Sequence, residues 1–498
     1  MMSIHYPALI VTVPLITAFL ITMAWWVERR LCFPLAIGAL SVSLISAVSM
    51  LAQVMTTGPF EYNLGGWKPP IGIAYNIDHL NALVLVAVAA VALLNLIGTG
   101  SAVRRDFADK IGPFYTLYIL FATGLFGIVI TGDAFNLFVL LEITSITGYA
   151  LIGMGDRHAP LASLNYIFMG TIGASFYLLG VGYLYLVTGT LNMADLAAIL
   201  PSLYGSKVVV AAFIICMTGL FMKMALFPLH GWLPNAYTFS PGPVSSLVAP
   251  LTTKVMVYVM IRVALFVFPV EFSFNVMHLA PAAVWLAIIA MVFGSLMALA
   301  QTSLKRMLSY IIVAEVGYMV GGFWIGNRIA MSGAILHIVN DAAMTLCVFM
   351  VAGSLRHQLK SDRFDALKGA FRKMPVTMGV LVVGGLSIIG VPPTCGFFSK
   401  WYLITGAIDA GHYPFVVALL FSSLINAVLF FRVFEIGYFE PFVDHHHGAD
   451  VHSEPLQEAP LDMVATMVAV ALGLVVLGFY SGDIVTRIIA FAIPSQII

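Results

Sequence analysis

The sequence has very little charge for its length. Only 9% of its 498 residues are Asp, Glu, Lys or Arg, and 61% are hydrophobic, whereas soluble domains carry about 25% charged residues. So few ionic groups cannot cover the surface of a water-soluble protein of this size. One very large soluble core is excluded as well, because single cores stop growing near about 250–300 residues. Lipid is therefore the main solvent predicted for this chain.

Signatures of several other protein classes are missing. The four cysteines are far apart, without CxxC or other metal-ligand spacing, which argues against disulfides, iron–sulfur clusters and zinc. The 23 basic and 23 acidic residues cancel, so no net charge directs the chain to nucleic acid. Walker A, GxGxxG and nucleophile motifs are absent from the sequence. We therefore predict no nucleic-acid partner, no cofactor, no metal and no catalytic site in this chain.

What the sequence does contain is long apolar runs. A helix needs about 20 apolar residues to cross a bilayer, and that length gives fourteen candidate spans. The first is interpreted as a span because no small-residue cleavage site precedes Arg29. The bounds are 6–27, 33–55, 79–101, 112–131, 134–154, 161–188, 208–233, 242–268, 279–300, 304–324, 329–355, 375–406, 413–436 and 461–481. We predict an all-α polytopic membrane protein with an interfacial tail at 484–498.

Basic residues in the loops predict the orientation. If the loops after odd-numbered spans share one side, the other side holds only Lys68, Lys207 and Arg328. The first side then holds Arg29, Arg30, Arg104, Arg105, Lys110, Arg157, Lys305, Arg306, Arg356, Lys360, Arg363, Lys368, Arg372 and Lys373. Because cytoplasmic loops carry the excess of Lys and Arg, both termini are predicted to lie outside the cytoplasm. The membrane is predicted to be the cell (inner) membrane of a bacterium or archaeon.

Ionisable residues inside the spans are the main functional signal. Each costs about 2.5–3.5 kcal/mol at the bilayer centre and usually faces a bundle interior or a water path. Structural ion pairs are the alternative, but the lysines outnumber their obvious partners. Desolvation makes a lysine release its proton readily, unlike an arginine, so we predict a proton relay. The residues concerned are Lys223, Lys254, Lys400, Glu142, Glu315, Asp341 and His337.

Two of the lysines lie beside helix breakers. Lys223 precedes Pro228 in the stretch 227–234, and Lys400 follows Pro392 and Pro393 in the stretch 390–396. A proline removes a backbone donor, and broken helices at membrane depth persist only inside protein or along a hydrated cavity. A simple kink would explain either stretch alone. Together they indicate two interrupted helices at an ion site.

These motifs resemble a known family. The matching segments are Gly132 to Glu142, Lys223 to Pro234, Pro241 to Lys254, Leu304 to Tyr310 and Gly390 to Trp401. In this order, over residues 110 to 435, the chain is similar to the antiporter-like subunits of respiratory complex I, Mrp-type cation/proton antiporters and membrane-bound hydrogenases. Its length and the segment 132–150 are most similar to the D-type subunit of Mrp antiporters.

The resemblance implies an architecture and a set of partners. It implies fourteen helices, with helices 7 and 12 discontinuous and two inverted five-helix repeats. The corresponding domains are 1–111 (helices 1–3), 112–268 (helices 4–8), 279–436 (helices 9–13) and 461–498 (helix 14 and the tail). The implied partners are other membrane subunits, protons and a second cation such as Na⁺, with lipid around the bundle.

The resemblance also implies roles for the buried charges. Glu142 would pair with Lys223 as a charge switch. Lys254 and His337 would carry protons along the membrane plane, and Lys400 would be the terminal exchange site.

The chain departs from many relatives after the histidine of span 11. They carry a second histidine and a lysine where this chain has Asp341 and Thr345. Asp341 lies one helical turn from His337, so it would stabilise the imidazolium or bind a cation. Two secondary candidates are Glu315, as a helix-interface or water-contacting carboxylate, and His230, which would orient backbone or water near the helix break.

Two loops carry weaker signals. His445, His446 and His447, in the acidic stretch 437–460, lack regular ligand spacing and are interpreted as part of a solvated loop. The basic stretch 356–374 would lie on anionic lipid or dock a neighbouring subunit.

Three functions compete. The favoured one is the D-type subunit of an Mrp antiporter that exchanges protons for Na⁺, and the second is a subunit of a redox-driven pump such as a hydrogenase or complex I. A membrane-embedded enzyme using Glu142, His337 and Asp341 is disfavoured, because the sequence shows no nucleophile or metal pattern.

Overall fold

A computed structural model describes residues 5–156, 158–439 and 458–497. Arg157 and the predicted loop histidines His445–His447 lie outside the described residues. The α-helices are α1 (Tyr6–Val27), α2 (Cys32–Thr57), α3 (His79–Gly98), α4 (Gly100–Asp106), α5 (Ile111–Ile130), α6 (Ala134–Gly153), α7 (Ala159–Thr188), α8 (Met193–Ile199), α9 (Lys207–Lys223), α10 (Leu233–Phe239), α11 (Gly242–Arg262), α12 (Ala280–Leu299), α13 (Leu304–Trp324), α14 (Arg328–Leu359), α15 (Ala370–Lys373), α16 (Pro375–Ile389), α17 (Cys395–Asp409), α18 (Tyr413–Phe439), α19 (Leu461–Ile484) and α20 (Ala490–Ala492).

The connection between the predicted spans 33–55 and 79–101 contains the only strands among the described residues. There β1 (Phe60–Asn63) pairs with β2 (Ala74–Ile77) as an antiparallel hairpin, with Phe60 opposite Ile77. Apart from this hairpin, the architecture is helical as predicted.

Long apolar helices make up most of the described chain. Twelve of them have the length and composition to cross a membrane, and each overlaps one predicted span, which confirms a polytopic helical membrane protein. Of the other two predicted spans, 375–406 falls on two shorter helices, α16 and α17, whereas 208–233 covers α9 and the segment that leads to the first residue of α10. The total of fourteen crossings and the inverted repeats stay predictions.

The first interruption separates α9 from α10. α9 ends at Lys223, and α10 begins at Leu233 with Pro234 in its first turn, where the missing N–H of a proline costs no helical hydrogen bond. The end of α9 leaves carbonyl groups without helical partners, and the Trp232 indole N–H donates to one of them, Met222 O, at 3.1 Å. The break is therefore stabilised by its own residues.

The second interruption separates α16 from α17. Gly390 ends α16 with a φ of 95°, a conformation that glycine adopts without a Cβ clash. Pro392 and Pro393 follow, and neither supplies a backbone N–H. Both interruptions thus lie where the sequence predicts them.

Four of the predicted site residues lie on the most buried helices of the bundle. α11, α13 and α14 are buried along nearly their whole length, whereas α1, α2, α7 and α19 expose much of their apolar surface. An exposed apolar rim is expected for a chain whose solvent is lipid. The buried helices α11, α13 and α14 carry Lys254, Glu315, His337 and Asp341.

The loops predicted to share the cytoplasmic side meet at one end of the bundle. Arg105, in the last turn of α4, donates to the carbonyl of His357 at 3.0 Å, and Arg356 pairs with Asp156 at 3.4 Å. This contact pattern agrees with the predicted sidedness of these loops, while the orientation in the membrane stays a prediction. Lys305 was predicted to lie in a loop on this side, but it is fully buried.

Close helix packing near the second interruption depends on a glycine. Gly406 of α17 lies against α14, so that a Cβ at this position would be 2.2 Å from the backbone N of Ala330. Gly406→Ala is expected to destabilise the folded protein by about 1–3 kcal/mol, the usual cost of overpacking. A lower thermal midpoint in detergent would show it. Gly473→Ala, at a helical position with open space, is the control, and an equal loss there would contradict the packing argument.

Candidate functional site

Lys223 and Glu142 face each other across α9 and α6. Lys223 Nζ lies 3.8 Å from Glu142 Oε1, and the two side chains are 4% and 26% exposed. The shorter contact of the lysine is with Ser145, one turn further along α6, whose Oγ accepts a hydrogen bond at 2.7 Å. The structure therefore brings the predicted pair together and adds a serine that the sequence analysis did not single out.

Lys254 on α11 pairs with Asp341 on α14. Lys254 Nζ lies 3.0 Å from Asp341 Oδ2, and each side chain is 2% exposed. Thr345 accepts a hydrogen bond from Lys254 at 3.2 Å and donates one to Asp341 Oδ1 at 2.8 Å. The two positions at which the sequence departs from many relatives thus bind Lys254 together.

Glu315 on α13 connects His337 to Lys400. His337 Nε2 lies 2.5 Å from Glu315 Oε2, and the other ring nitrogen, Nδ1, lies 2.8 Å from Ser399 Oγ. Glu315 Oε1 lies 3.9 Å from Lys400 Nζ. Asp341 was predicted to lie beside His337, because the two are one turn apart on α14. In the structure, α13 packs against α14 so that Glu315 contacts the His337 ring instead.

The second interruption supplies an acceptor for Lys400. Its ammonium donates to Ile388 O at 2.6 Å and to Ser423 Oγ at 3.1 Å. In an unbroken helix Ile388 O would accept from the N–H of residue 392, but Pro392 has none. The ring of Tyr318 lies 4.8 Å from the ammonium, within the range of a cation–π interaction. The predicted helix break therefore takes part directly in binding this lysine.

Lys223, Lys254 and Lys400 each face one carboxylate. The oxygens on the lysine side, Glu142 Oε1, Asp341 Oδ2 and Glu315 Oε1, make no hydrogen bond within the part of the chain that the structure describes. These three lysines therefore have three carboxylate partners, which corrects the expectation that the lysines outnumber their partners. However, two of the three pairs are 3.8–3.9 Å apart, beyond the roughly 2.7–2.9 Å of charge-assisted hydrogen bonds. These two pairs are contacts rather than closed ion pairs.

A cluster of three side chains has the composition of a metal site. Glu315, His337 and Asp341 each offer a buried ligand atom, and these atoms lie within 4.8 Å of one another. However, the ammonium groups of Lys254 and Lys400 already contact the two carboxylates. Positive charge this close opposes a resident metal ion. The cluster is better suited to exchanging protons between its members.

The remaining predicted residues lie at the interruptions. Pro228 and His230 are in the segment between α9 and α10, and Pro393 is between α16 and α17. The His230 ring stacks on Phe227 and lies edge-on to Phe293, with centroids 5.4 and 5.0 Å apart. Its predicted influence on Lys223 stays a prediction.

Comparison with known proteins identifies the family of this chain. The family model described as "NADH:quinone oxidoreductase/Mrp antiporter, TM" matches residues 131–426, a range that includes every lysine and carboxylate of the three pairs. NADH-quinone oxidoreductase subunit N of Desulforudis audaxviator is 42% identical, over 99% of both chains. The D subunit of a Na(+)/H(+) antiporter from Bacillus subtilis is 29% identical, over 86% of both chains.

Solved structures share the fold. A chain of the membrane-bound sulfane sulfur reductase, an archaeal respiratory membrane complex, superposes with a TM-score of 0.88 at 31% identity, covering 97% of this chain and 96% of that one. A chain of the Mrp complex from a Dietzia species gives a TM-score of 0.87 at 23% identity, covering 98% of both. The protein is therefore a multi-pass membrane protein that belongs to the NADH:quinone oxidoreductase/Mrp antiporter family.

Proposed function

We propose that this chain translocates protons as an antiporter-like subunit of a multisubunit membrane complex. The observation that carries the proposal is the set of three buried lysine–carboxylate pairs. The middle pair joins α11, in the first predicted repeat, to α14, in the second. If these charges served only to hold helices together, closed ion pairs would be expected. In the outer two pairs, however, the lysine nitrogen and the nearest carboxylate oxygen are 3.8 and 3.9 Å apart.

Proton transfer would begin at the Glu142–Lys223 pair. When a neighbouring subunit or a second ion draws Glu142 away, the ammonium of Lys223 loses its nearest negative charge and releases its proton more readily. The proton would pass to the Lys254–Asp341 pair, then to His337 with Glu315, and finally change the state of Lys400. Because these groups interact, they titrate as a set and not one by one.

Internal water would connect the first pair to the second. The buried hydroxyls of Tyr237, Thr252 and Thr253 make no hydrogen bond within the described residues. Buried water typically binds to polar groups of this kind. Water at these hydroxyls would extend a path from α10, which carries Tyr237, to α11, which carries Lys254.

We expect Glu142→Ala and Lys223→Ala to reduce proton translocation by the assembled complex to below about a tenth, which corresponds to a transfer barrier raised by more than about 1.4 kcal/mol. The physical reason is that each variant removes one member of the switch. Proton movement in membrane vesicles, normalised to the amount of assembled complex, would measure it. Lys207→Ala, at an exposed lysine at the start of the same helix α9, is the control. Wild-type rates in both site variants would refute the proposal.

We further propose that the complex is redox-driven. The support is the 42% identity to a NADH-quinone oxidoreductase subunit and the 31% identity to a chain of an archaeal respiratory complex. The Mrp-type exchanger favoured by the sequence analysis is the second candidate, supported by the 29% identity to the D subunit of a Na(+)/H(+) antiporter. In that case a second cation, such as Na⁺, would move against the proton.

Purification of the complex from its native membrane distinguishes the two assemblies. Co-purifying subunits with iron–sulfur absorbance would support the redox-driven complex. A complex composed only of membrane subunits, which exchanges Na⁺ for protons without an electron donor, would overturn it in favour of the exchanger.

A further inference from the structure

Each lysine of the three pairs also contacts one hydroxyl group. Lys223 donates to Ser145 at 2.7 Å, Lys254 to Thr345 at 3.2 Å, and Lys400 to Ser423 at 3.1 Å. The hydroxyls come from three different helices, α6, α14 and α18. Every lysine of the series therefore lies between one carboxylate and one neutral hydroxyl.

We propose that Ser145 and Ser423 are positioning residues that hold the ammonium groups of Lys223 and Lys400 beside their carboxylates without closing the ion pairs. This inference rests on the proposed function, because it assigns roles within the same proton path. It concerns groups that do not themselves carry the proton through the path.

The distances differ between the ends and the middle of the series. At the ends the hydroxyl is nearer than the carboxylate, at 2.7 against 3.8 Å for Lys223 and 3.1 against 3.9 Å for Lys400. In the middle the two are nearly equal, at 3.2 and 3.0 Å for Lys254. Lys223 is thus held by its hydroxyl, Lys400 by its hydroxyl and the Ile388 carbonyl, and Lys254 by both its hydroxyl and its carboxylate.

The Ser145 hydroxyl is oriented to accept from a lysine. Its proton is directed to Leu141 O at 2.7 Å, which leaves the oxygen lone pairs for Lys223. Ser145 and Glu142 are three residues apart on α6, and residues at this spacing are neighbours on a helix surface. The flexible stem of Lys223 can therefore move its ammonium between them without a shift of the backbone.

A neutral acceptor has a specific advantage here. Hydrogen bonds between two ionised groups are about twice as strong as those between neutral ones, so a lysine closed onto its carboxylate would be slow to release. The hydroxyl satisfies one ammonium donor and leaves the carboxylate a short distance away. Removing the hydroxyl should let the ion pair close and trap the lysine.

A purely structural role is the alternative for Ser145, because serine and threonine in membrane helices often bond to the carbonyl four residues earlier. The hydroxyl of the adjacent residue, Thr144, makes this kind of bond, donating to Leu140 O at 3.0 Å, and has no lysine contact among the described residues. It is buried to the same extent, each residue being 5% exposed. Thr144→Val is therefore a matched control for Ser145→Ala.

The experiment compares Ser145→Ala, Ser145→Thr and Thr144→Val in the assembled complex. Ser145→Ala is expected to lower the maximal rate of proton translocation about tenfold, equivalent to about 1.4 kcal/mol in the barrier, with the KM for the electron donor or exchanged cation unchanged. Ser145→Thr should restore the rate to within about twofold of wild type, as expected when a hydroxyl rather than a shape is required. Thr144→Val should behave as wild type.

A wild-type rate in Ser145→Ala, or an equal loss in Ser145→Ala and Thr144→Val, would overturn the inference. Ser423→Ala and Ser423→Thr repeat the measurement at the other end, where the partly exposed site leaves room for the extra methyl group. If Glu142→Ala and Lys223→Ala stop translocation while Ser145→Ala and Ser423→Ala do not, the proton path stands and the positioning role is wrong. If none of the four reduces translocation, both are wrong.

Discussion

Lys254→Met is expected to reduce proton translocation by about 100-fold or more per assembled complex, the scale on which a positioned proton-transfer group contributes. Lys254 forms the pair that joins α11 to α14, with 3.0 Å between Nζ and Asp341 Oδ2. Methionine fills a similar volume but carries no proton. Proton movement in energised membrane vesicles, normalised to the amount of complex, measures the effect.

A second buried lysine provides the control for this loss. Lys305 is fully buried on α13 and donates to the carbonyl of Ser240 at 2.7 Å, with no carboxylate within 4.0 Å among the described residues. It does not belong to the series of pairs, so Lys305→Met should retain translocation per assembled complex. If Lys305→Met abolished translocation equally, the loss at Lys254 would reflect the removal of any buried lysine and not a break in the proton path.

Asp341→Leu is expected to lower the free energy of unfolding by about 3–5 kcal/mol, the typical cost of leaving one member of a buried ion pair without its partner. The ammonium of Lys254 would remain in a buried site, with Thr345 as its remaining side-chain contact. Adding Lys254→Met to Asp341→Leu should recover most of that stability, because apolar replacements of both members are often neutral. Thermal unfolding of the purified complex in detergent would follow both changes.

The double variant separates stability from function. It should restore the folded complex and still fail to translocate protons, because no proton carrier is left between α11 and α14. The non-additive stability of the two substitutions would show that the residues interact. Recovery of translocation together with stability would mean that the pair has a structural role only, and the proposed path through it would be wrong.

The sequence predicted the positions of the lysines and of the helix breaks. Lys223, Lys254 and Lys400 are conspicuous in apolar runs because a charge at membrane depth is costly in every fold. Pro228, Pro392 and Pro393 lack a backbone donor wherever they occur. Both signals belong to the residues themselves, and both interruptions were found where they indicate.

The partners of the lysines could not be predicted in the same way. Glu315 was held as a secondary candidate, and Asp341 was placed beside His337 because the two are one turn apart on α14. The structure pairs Glu315 with His337 and Lys400, and Asp341 with Lys254. Which carboxylate contacts which lysine depends on how α11, α13 and α14 are rotated relative to one another. The hydropathy pattern of the sequence gives no information on that rotation.

Hydroxyl groups and buried helix ends were missed for a related reason. Ser145 and Ser423 have no signature in the sequence, because a hydroxyl bonded within its own helix costs little in a membrane. Lys305 was counted with the loop cations because it follows a short connection, yet it lies buried beneath the end of α10, where it donates to Ser240 O. Only the packing of one helix end on another reveals such a site.

By itself, the sequence determined that lipid is the main solvent, which segments are long and apolar enough to cross it, and where charges and helix breaks occur within those segments. Each of these follows from the transfer cost of single residues, which is the same in any fold. The tertiary structure alone decided that Lys223, Lys254 and Lys400 each have one carboxylate and one hydroxyl, at distances that leave two of the three pairs open. Those contacts depend on the rotation and closeness of neighbouring helices, which are set by packing over the whole bundle.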